Sequence, residues 1–191
     1  MLQEYHESGF EPISNPATMD NPPFLRGDTS WRAPARGSVK INCDVAKPLR
    51  SNLCTTAVVM RNAAGEVLDG CWTKFYARSS LVGELTAIRE ACLLASNLRM
   101  FGCEIESDSR MAILLSASEL VPPWEASALV WDIRHLSEVL HLRFLWSRRT
   151  ANRVAHHVSY LASVGLLPCN WVSIPPDSLL SLLCTDASIN A

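Results

Sequence analysis

The chain has 191 residues, 48% of them hydrophobic, and a formal net charge of −2. That length suits one domain with tails, and the apolar fraction with six tryptophans excludes a disordered chain. The near-neutral charge excludes a global pull toward nucleic acid or an anionic membrane, so a nucleic-acid partner must be met by a local basic patch.

Residues 1 to about 35 hold five prolines among Asn, Ser and Asp, without apolar periodicity. They read as a flexible leader that enters the domain near Trp31. Val39, Ile41 and Cys43 then alternate with Lys40, Asn42 and Asp44, the period of a half-buried strand over about 38–45. Thr55–Met60 is a second strand, Arg61–Gly65 a tight turn and Glu66–Trp72 a third strand, together an antiparallel meander. From Leu81 the period changes: Leu85, Ile88, Cys92 and Ala95 recur at helical spacing, predicting a helix over about 80–98 that Ser79 or Ser80 can cap. Strand Phe101–Glu106, helix Asp108–Ser118, helix Trp124–Leu140, strand Leu142–Trp146 and helix Ala151–Ser163 follow. Trp72, Trp131 and Trp146 are expected in the core. Beyond Pro168 lies a tail with a short apolar helix at Leu179–Leu183, set to pack back or to meet a partner. The boundaries are a leader at 1–35, a domain at 36–168 and a tail at 169–191. Three strands followed by alternating helices and strands predict a mixed α/β sheet with right-handed crossovers.

Seven cysteines, at 43, 54, 71, 92, 103, 169 and 184, form no Cys-x-x-Cys pair. This argues against a disulfide framework or zinc site and fits a reducing compartment, so the expected location is intracellular, in nucleus or cytoplasm. Met1-Leu2-Gln3-Glu4 is no secretory signal, and no run of about 20 apolar residues suggests a membrane span. A monomer is expected.

Three acids stand in marked settings. Asp44 ends the first strand, Glu84 lies in the first turns of the first long helix, and Asp108 sits where a strand meets a helix. Taken singly each has an ordinary explanation: a solvated strand end, a helix-dipole acid, and an N-cap between two serines. Taken in order, on a first strand, in a first long helix and at the end of a later strand, they resemble the acids of a two-metal nuclease. One ion activates a water and the other stabilises the departing oxygen, and carboxylates supply hard oxygen donors with compensating charge. Arg143, Arg148, Arg149 and Arg153 gather around the last strand and helix start and could track phosphates.

The ordered motifs resemble a ribonuclease H-like domain, most closely the plant reverse-transcriptase-like subgroup of the type 1 family, over about residues 31–186. Trp31-Arg32-Ala33-Pro34 with Val39-Lys40-Ile41-Asn42-Cys43-Asp44-Val45-Ala46 resembles its opening, and Val59-Met60-Arg61-Asn62-Ala63-Ala64-Gly65-Glu66-Val67 its hairpin. Glu84-Leu85-Thr86-Ala87, Glu106-Ser107-Asp108-Ser109 and Arg149-Thr150-Ala151-Asn152-Arg153-Val154-Ala155-His156 resemble its three later motifs. The resemblance implies a five-stranded mixed sheet of order 3-2-1-4-5, second strand antiparallel, flanked by helices. It implies an endonuclease cutting the RNA strand of RNA–DNA hybrids with two Mg2+ or Mn2+ ions. Asp44, Glu84 and Asp108 would be metal ligands and catalytic residues, with His156 in the fourth position. Arg148, Arg149, Asn152 and Arg153 would contact nucleic acid.

Three positions depart from the family pattern. Val45 replaces a glycine and would crowd the backbone near the metals, Thr55-Thr56-Ala57 replaces glycines, and His156 replaces an acid, which would tilt metal preference toward manganese. The alternatives are a catalytically weakened or inactive nucleic-acid-binding domain derived from a retroelement, and a protein-interaction module recruiting through the apolar tail.

Overall fold

The alternating stretch after Val39 forms strand β1, Lys40–Ala46. β2, Leu53–Arg61, and β3, Val67–Tyr76, continue it as an antiparallel meander. Asn62 builds the β2–β3 turn by accepting the Ala64 and Glu66 amides on Oδ1 at 2.9 and 3.0 Å, and Gly65 takes the positive φ of 81° that closes it. Helix α1, Ser80–Asn97, crosses over to β4, Glu104–Ser107, which lies parallel to β1. Next come α2, Arg110–Ala117, a short 3-10 helix at Trp124–Ala126, α3, Ser127–Leu140, and β5, Arg143–Trp146, parallel to β4. Helices α4, Arg153–Ser163, and α5, Asp177–Asn190, complete the chain. The sheet order is β3-β2-β1-β4-β5, as the motif order implies. The structure is a computed structural model and describes residues 28–48 and 51–190. Most of the expected leader therefore lies outside the described residues. Among the described residues no helix is long and apolar enough to cross a membrane.

Helices cover both sheet faces. Ile41, Cys43, Val58 and Met60 pack with α1, α2 and α3 in one core, whereas Ala57 and Val59 pack with α4, α5 and Trp171 in a second. The half-buried strand expected at β1 is thus buried on both sides: Lys40, Asn42 and Asp44 are as inaccessible as the apolar residues between them. The single helix expected over Trp124–Leu140 opens as a 3-10 turn, because the Ala126 amide closes back on the Pro123 carbonyl at 2.9 Å. The tryptophans also sort differently. Trp72 lies on an edge strand and Trp131 on the outer face of α3, 40% and 62% exposed, while Trp31 and Trp171 are buried.

Burying the polar face of β1 requires partners for every polar atom. Lys40 Nζ lies 3.0 Å from Glu106 Oε2 and donates to the Arg32 carbonyl at 2.7 Å. The Asn42 amide donates to Glu106 Oε1 at 2.9 Å and to Asn152 Oδ1 at 3.2 Å. Its Oδ1 accepts from Trp31 Nε1 at 3.0 Å and from Arg61 Nη2 at 2.9 Å. Arg61 also pairs with Asp186 of α5 at 2.8 Å, and its guanidinium sits 3.8 Å from the Trp31 ring centroid. Burial lowers the Arg61 pKa, and the bond to Asp186 opposes that shift. Asn190 closes the arrangement by donating to the Trp31 carbonyl at 3.0 Å and accepting the Ala33 amide at 2.8 Å. The apolar tail packs back as α5, with Leu179 and Leu183 in the second core.

Gly70 shows how closely the segment before α5 sits on the sheet. A Cβ there would fall 2.4 Å from the Trp171 ring and 2.7 Å from the Val58 carbonyl oxygen. Gly70→Ala must displace Trp171 or strain β3, so denaturant unfolding should show a loss of about 1–3 kcal/mol.

Candidate active site

β1 and β4 run in parallel with Asn42 opposite Glu106, so the two chains reach Asp44 and Asp108 side by side at their carboxyl ends. Helix α1 lies across the same end. Ser79 caps it by accepting the Val82 amide, which places Glu84 one turn in, facing the strand ends. Ligand oxygens of Asp44, Glu84 and Asp108 then lie within 4.8 Å of one another. The ordinary explanation for Asp108 fails here. Ser109 caps α2 by accepting the Ala112 amide, and Asp108 turns its carboxylate toward the other two acids. Trp146 Nε1 donates to the Asp108 carbonyl at 2.9 Å and fixes that corner.

Three acids this close disfavour one another's charge. Burial, then Asp44 and Asp108, push the Glu84 carboxyl up to about 9, against a smaller opposing effect of Arg149. Asp108 is raised by burial and by Asp44, with Arg149 and His156 opposing. Glu84 Oε2 is buried and has no hydrogen-bond partner. An orphaned buried carboxylate oxygen facing two other acids has the donor chemistry of a divalent-cation site, since a hard cation would satisfy the oxygen and restore the charged form. The residues therefore fit such an ion.

The fourth position behaves differently from the other three. His156 Nδ1 lies 3.2 Å from Asp44 Oδ2, and Arg149 Nη2 lies 2.9 Å from His156 Nε2. A guanidinium has only N–H groups to give, so in the neutral ring Nε2 accepts from Arg149 and Nδ1–H donates to Asp44. The bond to Asp44 raises the His156 pKa, against burial and Arg149. A protonated ring carries hydrogen on both nitrogens. In this structure the neutral ring therefore turns its Nε2 lone pair toward Arg149 and its Nδ1–H toward Asp44, so the fourth position holds Asp44 in place where a carboxylate was the more common residue. Ser159, which sequence reasoning missed, donates to the same Asp44 Oδ2 at 2.5 Å. Its signal was the three-residue spacing from His156, which puts both on one face of α4.

Other expected residues also change character. Asn152 is fully buried, bonding the Cys43 carbonyl at 2.9 Å and Asn42 at 3.2 Å, so it ties α4 to β1 and is not placed to touch nucleic acid. Arg153 turns toward Asp186 at 3.5 Å. Arg148 is exposed, and Arg149 lies beside the acids. The crowding expected from Val45 is absorbed by α1: a Cβ on Gly83 would meet the Val45 methyls at 3.5 and 3.6 Å, an ordinary contact. A cavity of about 430 Å³ opens beside the cluster, lined among others by Val45, Lys47, Glu84, Arg149, His156 and Tyr160.

A family model described as reverse transcriptase-like matches residues 42–162, a span that contains all three acids and His156. No curated protein matches the chain. Among solved structures it is similar to the RNase H1 of the halophilic archaeon Halobacterium salinarum, at a TM-score of 0.61 and 15% identity, covering 68% of this chain and 99% of that one. It is similar to an N-terminal RNase H domain from Mycobacterium tuberculosis, solved as a maltose-binding-protein fusion, at a TM-score of 0.60 and 17% identity, covering 68% and 95%. LC11-RNase H1, solved in complex with an RNA/DNA hybrid, gives a TM-score of 0.54 at 16% identity, covering 63% and 92%. At these identities the likeness is one of fold.

The raised Glu84 carboxyl has a measurable consequence. In the folded chain it keeps its proton up to about 9, whereas the unfolded chain releases it near 4.5, so the folded state binds more protons in that window. Stability should then fall as pH rises. With chelator present, unfolding free energy should drop by on the order of 2–4 kcal/mol between about pH 5 and pH 8. Glu84→Gln should flatten that slope.

Proposed function

Because the chain belongs to the reverse transcriptase-like family and carries the ribonuclease H fold, we propose that it is a metal-dependent endonuclease cutting the RNA strand of RNA–DNA hybrids. The observation that carries this reading is the convergence of Asp44, Glu84 and Asp108 from three distant elements, with a buried, unpartnered oxygen on Glu84. When bound among them, a divalent cation activates a water and neutralises charge on the departing oxygen. The three acids of the cluster offer carboxylate oxygens, which suit magnesium, and the His156 Nε2 lone pair faces Arg149, which weakens the reason for a manganese preference.

The chain's own residues supply positioning. Arg149 stands at the rim with guanidinium N–H groups suited to phosphate oxygens, and Lys47 lies across the adjoining cavity. Arg148 adds charge along the same approach. A hybrid would be recognised by backbone shape and 2′-hydroxyl groups, and with a net charge of −2 its phosphates must be met by the local cations Arg149 and Lys47. We place the activity in a reducing intracellular compartment, where the free cysteines persist.

A second reading, a nucleic-acid-binding domain of weakened activity, draws on one observation: Asp44 Oδ2 already accepts from Ser159 and His156. Incubation with a labelled RNA–DNA hybrid in Mg2+, then in Mn2+, separates the two. Internal cleavage of the RNA strand is expected, abolished by chelator and reduced by on the order of a hundredfold or more in Glu84→Gln. Tight hybrid binding without cleavage in either metal would select the second reading.

A further inference from the structure

Resting on the nuclease reading above, we propose that this site takes one divalent cation and not a pair, the Arg149–His156 couple standing where a second cation would bind. Two ions a few ångströms apart are held by a carboxylate that gives one oxygen to each, with further donors on both sides. Of the three acids, Asp44 is the one that also faces α4, so it is the one that would have to serve an ion on that side. Its Oδ2 accepts from Ser159 Oγ at 2.5 Å and lies 3.2 Å from His156 Nδ1. Two in-plane lone pairs then meet two donors, and only Oδ1 remains for a metal.

The side facing α4 offers nothing in its place. Both His156 nitrogens are engaged, Nδ1 by Asp44 and Nε2 by Arg149, and a guanidinium has no acceptor. Charge leads to the same result. Three carboxylates carry minus three, which one divalent ion and the Arg149 guanidinium balance; a second ion would leave the cluster strongly positive. Asp44, Glu84 and Asp108 would each give one oxygen to a single divalent ion, and a hard ion so held would keep bound water. Arg149 would supply the remaining positive charge beside a bound phosphate.

The test counts ions instead of turnover. Mn2+ bound at millimolar free metal is measured by electron paramagnetic resonance of the unbound ion. The triple variant Asp44→Asn, Glu84→Gln, Asp108→Asn gives the background from surface sites. The unaltered chain should bind one ion above that background. His156→Asp, which releases one lone pair of Asp44 and adds a carboxylate, should bind two. Two ions on the unaltered chain would overturn the inference and leave the nuclease reading standing. No ion above background would overturn both. A His156→Asp variant that folds by circular dichroism yet still binds one ion would remove the role given to the Arg149–His156 couple. If that variant does not fold, the count on the unaltered chain decides alone.

Discussion

The contact on which the site depends is the amide pair between Asn42 and Asn152. Asn42 lies on the central strand and Asn152 at the first turn of α4, and each is fully buried. Their bond, with that from Asn152 to the Cys43 carbonyl, fixes the height and rotation of α4 over β1. His156 and Ser159 then fall, one and two turns further on, beside the Asp44 carboxylate. Either amide replaced by an apolar group would leave its partner unsatisfied in the interior, a cost of about 1–3 kcal/mol, and would let α4 slide. The geometry of the candidate site on this face is therefore set by a polar contact outside the acid cluster.

The same face shows how a charged interior can be tolerated. Lys40, Glu106, Arg61 and Asp186 are all buried, and each meets an opposite charge within 3.0 Å. Such pairs add little net stability over apolar packing, but breaking one strands its partner, so they specify a single arrangement. The three acids at the other end of β1 lack this compensation. Glu84 has no partner on Oε2 and its carboxyl is pushed up to about 9. The contrast along one strand separates buried charges that are paired with their opposites from a cluster of acids that repel one another.

Much of this was legible in the sequence, and the boundary is physical. Strand order follows from local signals: the alternation at Val39–Cys43, the Asn62–Gly65 turn and the helical spacing from Leu81. The three acids could be singled out because each stands in a motif at an element end. What remained hidden was long-range. Asn152 lies between arginines and looks like a surface residue, and only the fold shows that its amide turns inward to residues about 110 positions earlier. Ser159 carries no motif, and its contact spans 115 positions. Trp72 and Trp131 were misplaced for the same reason, whereas Trp146 packs against the first core as expected. Hydrophobicity marks a side chain as able to be buried, yet edge strand β3 leaves Trp72 open while the terminal segments cover Trp31 and Trp171.

Asn190, near the end of α5, holds the backbone of Trp31 and Ala33 through both atoms of its amide. The two ends of the described residues thus lie close together, on the Lys40 half of β1, away from the acids at its Ala46 end. A short bridge joining them, with new termini opened in an exposed turn such as Asn62–Gly65, would give a circularly permuted chain with the same sheet.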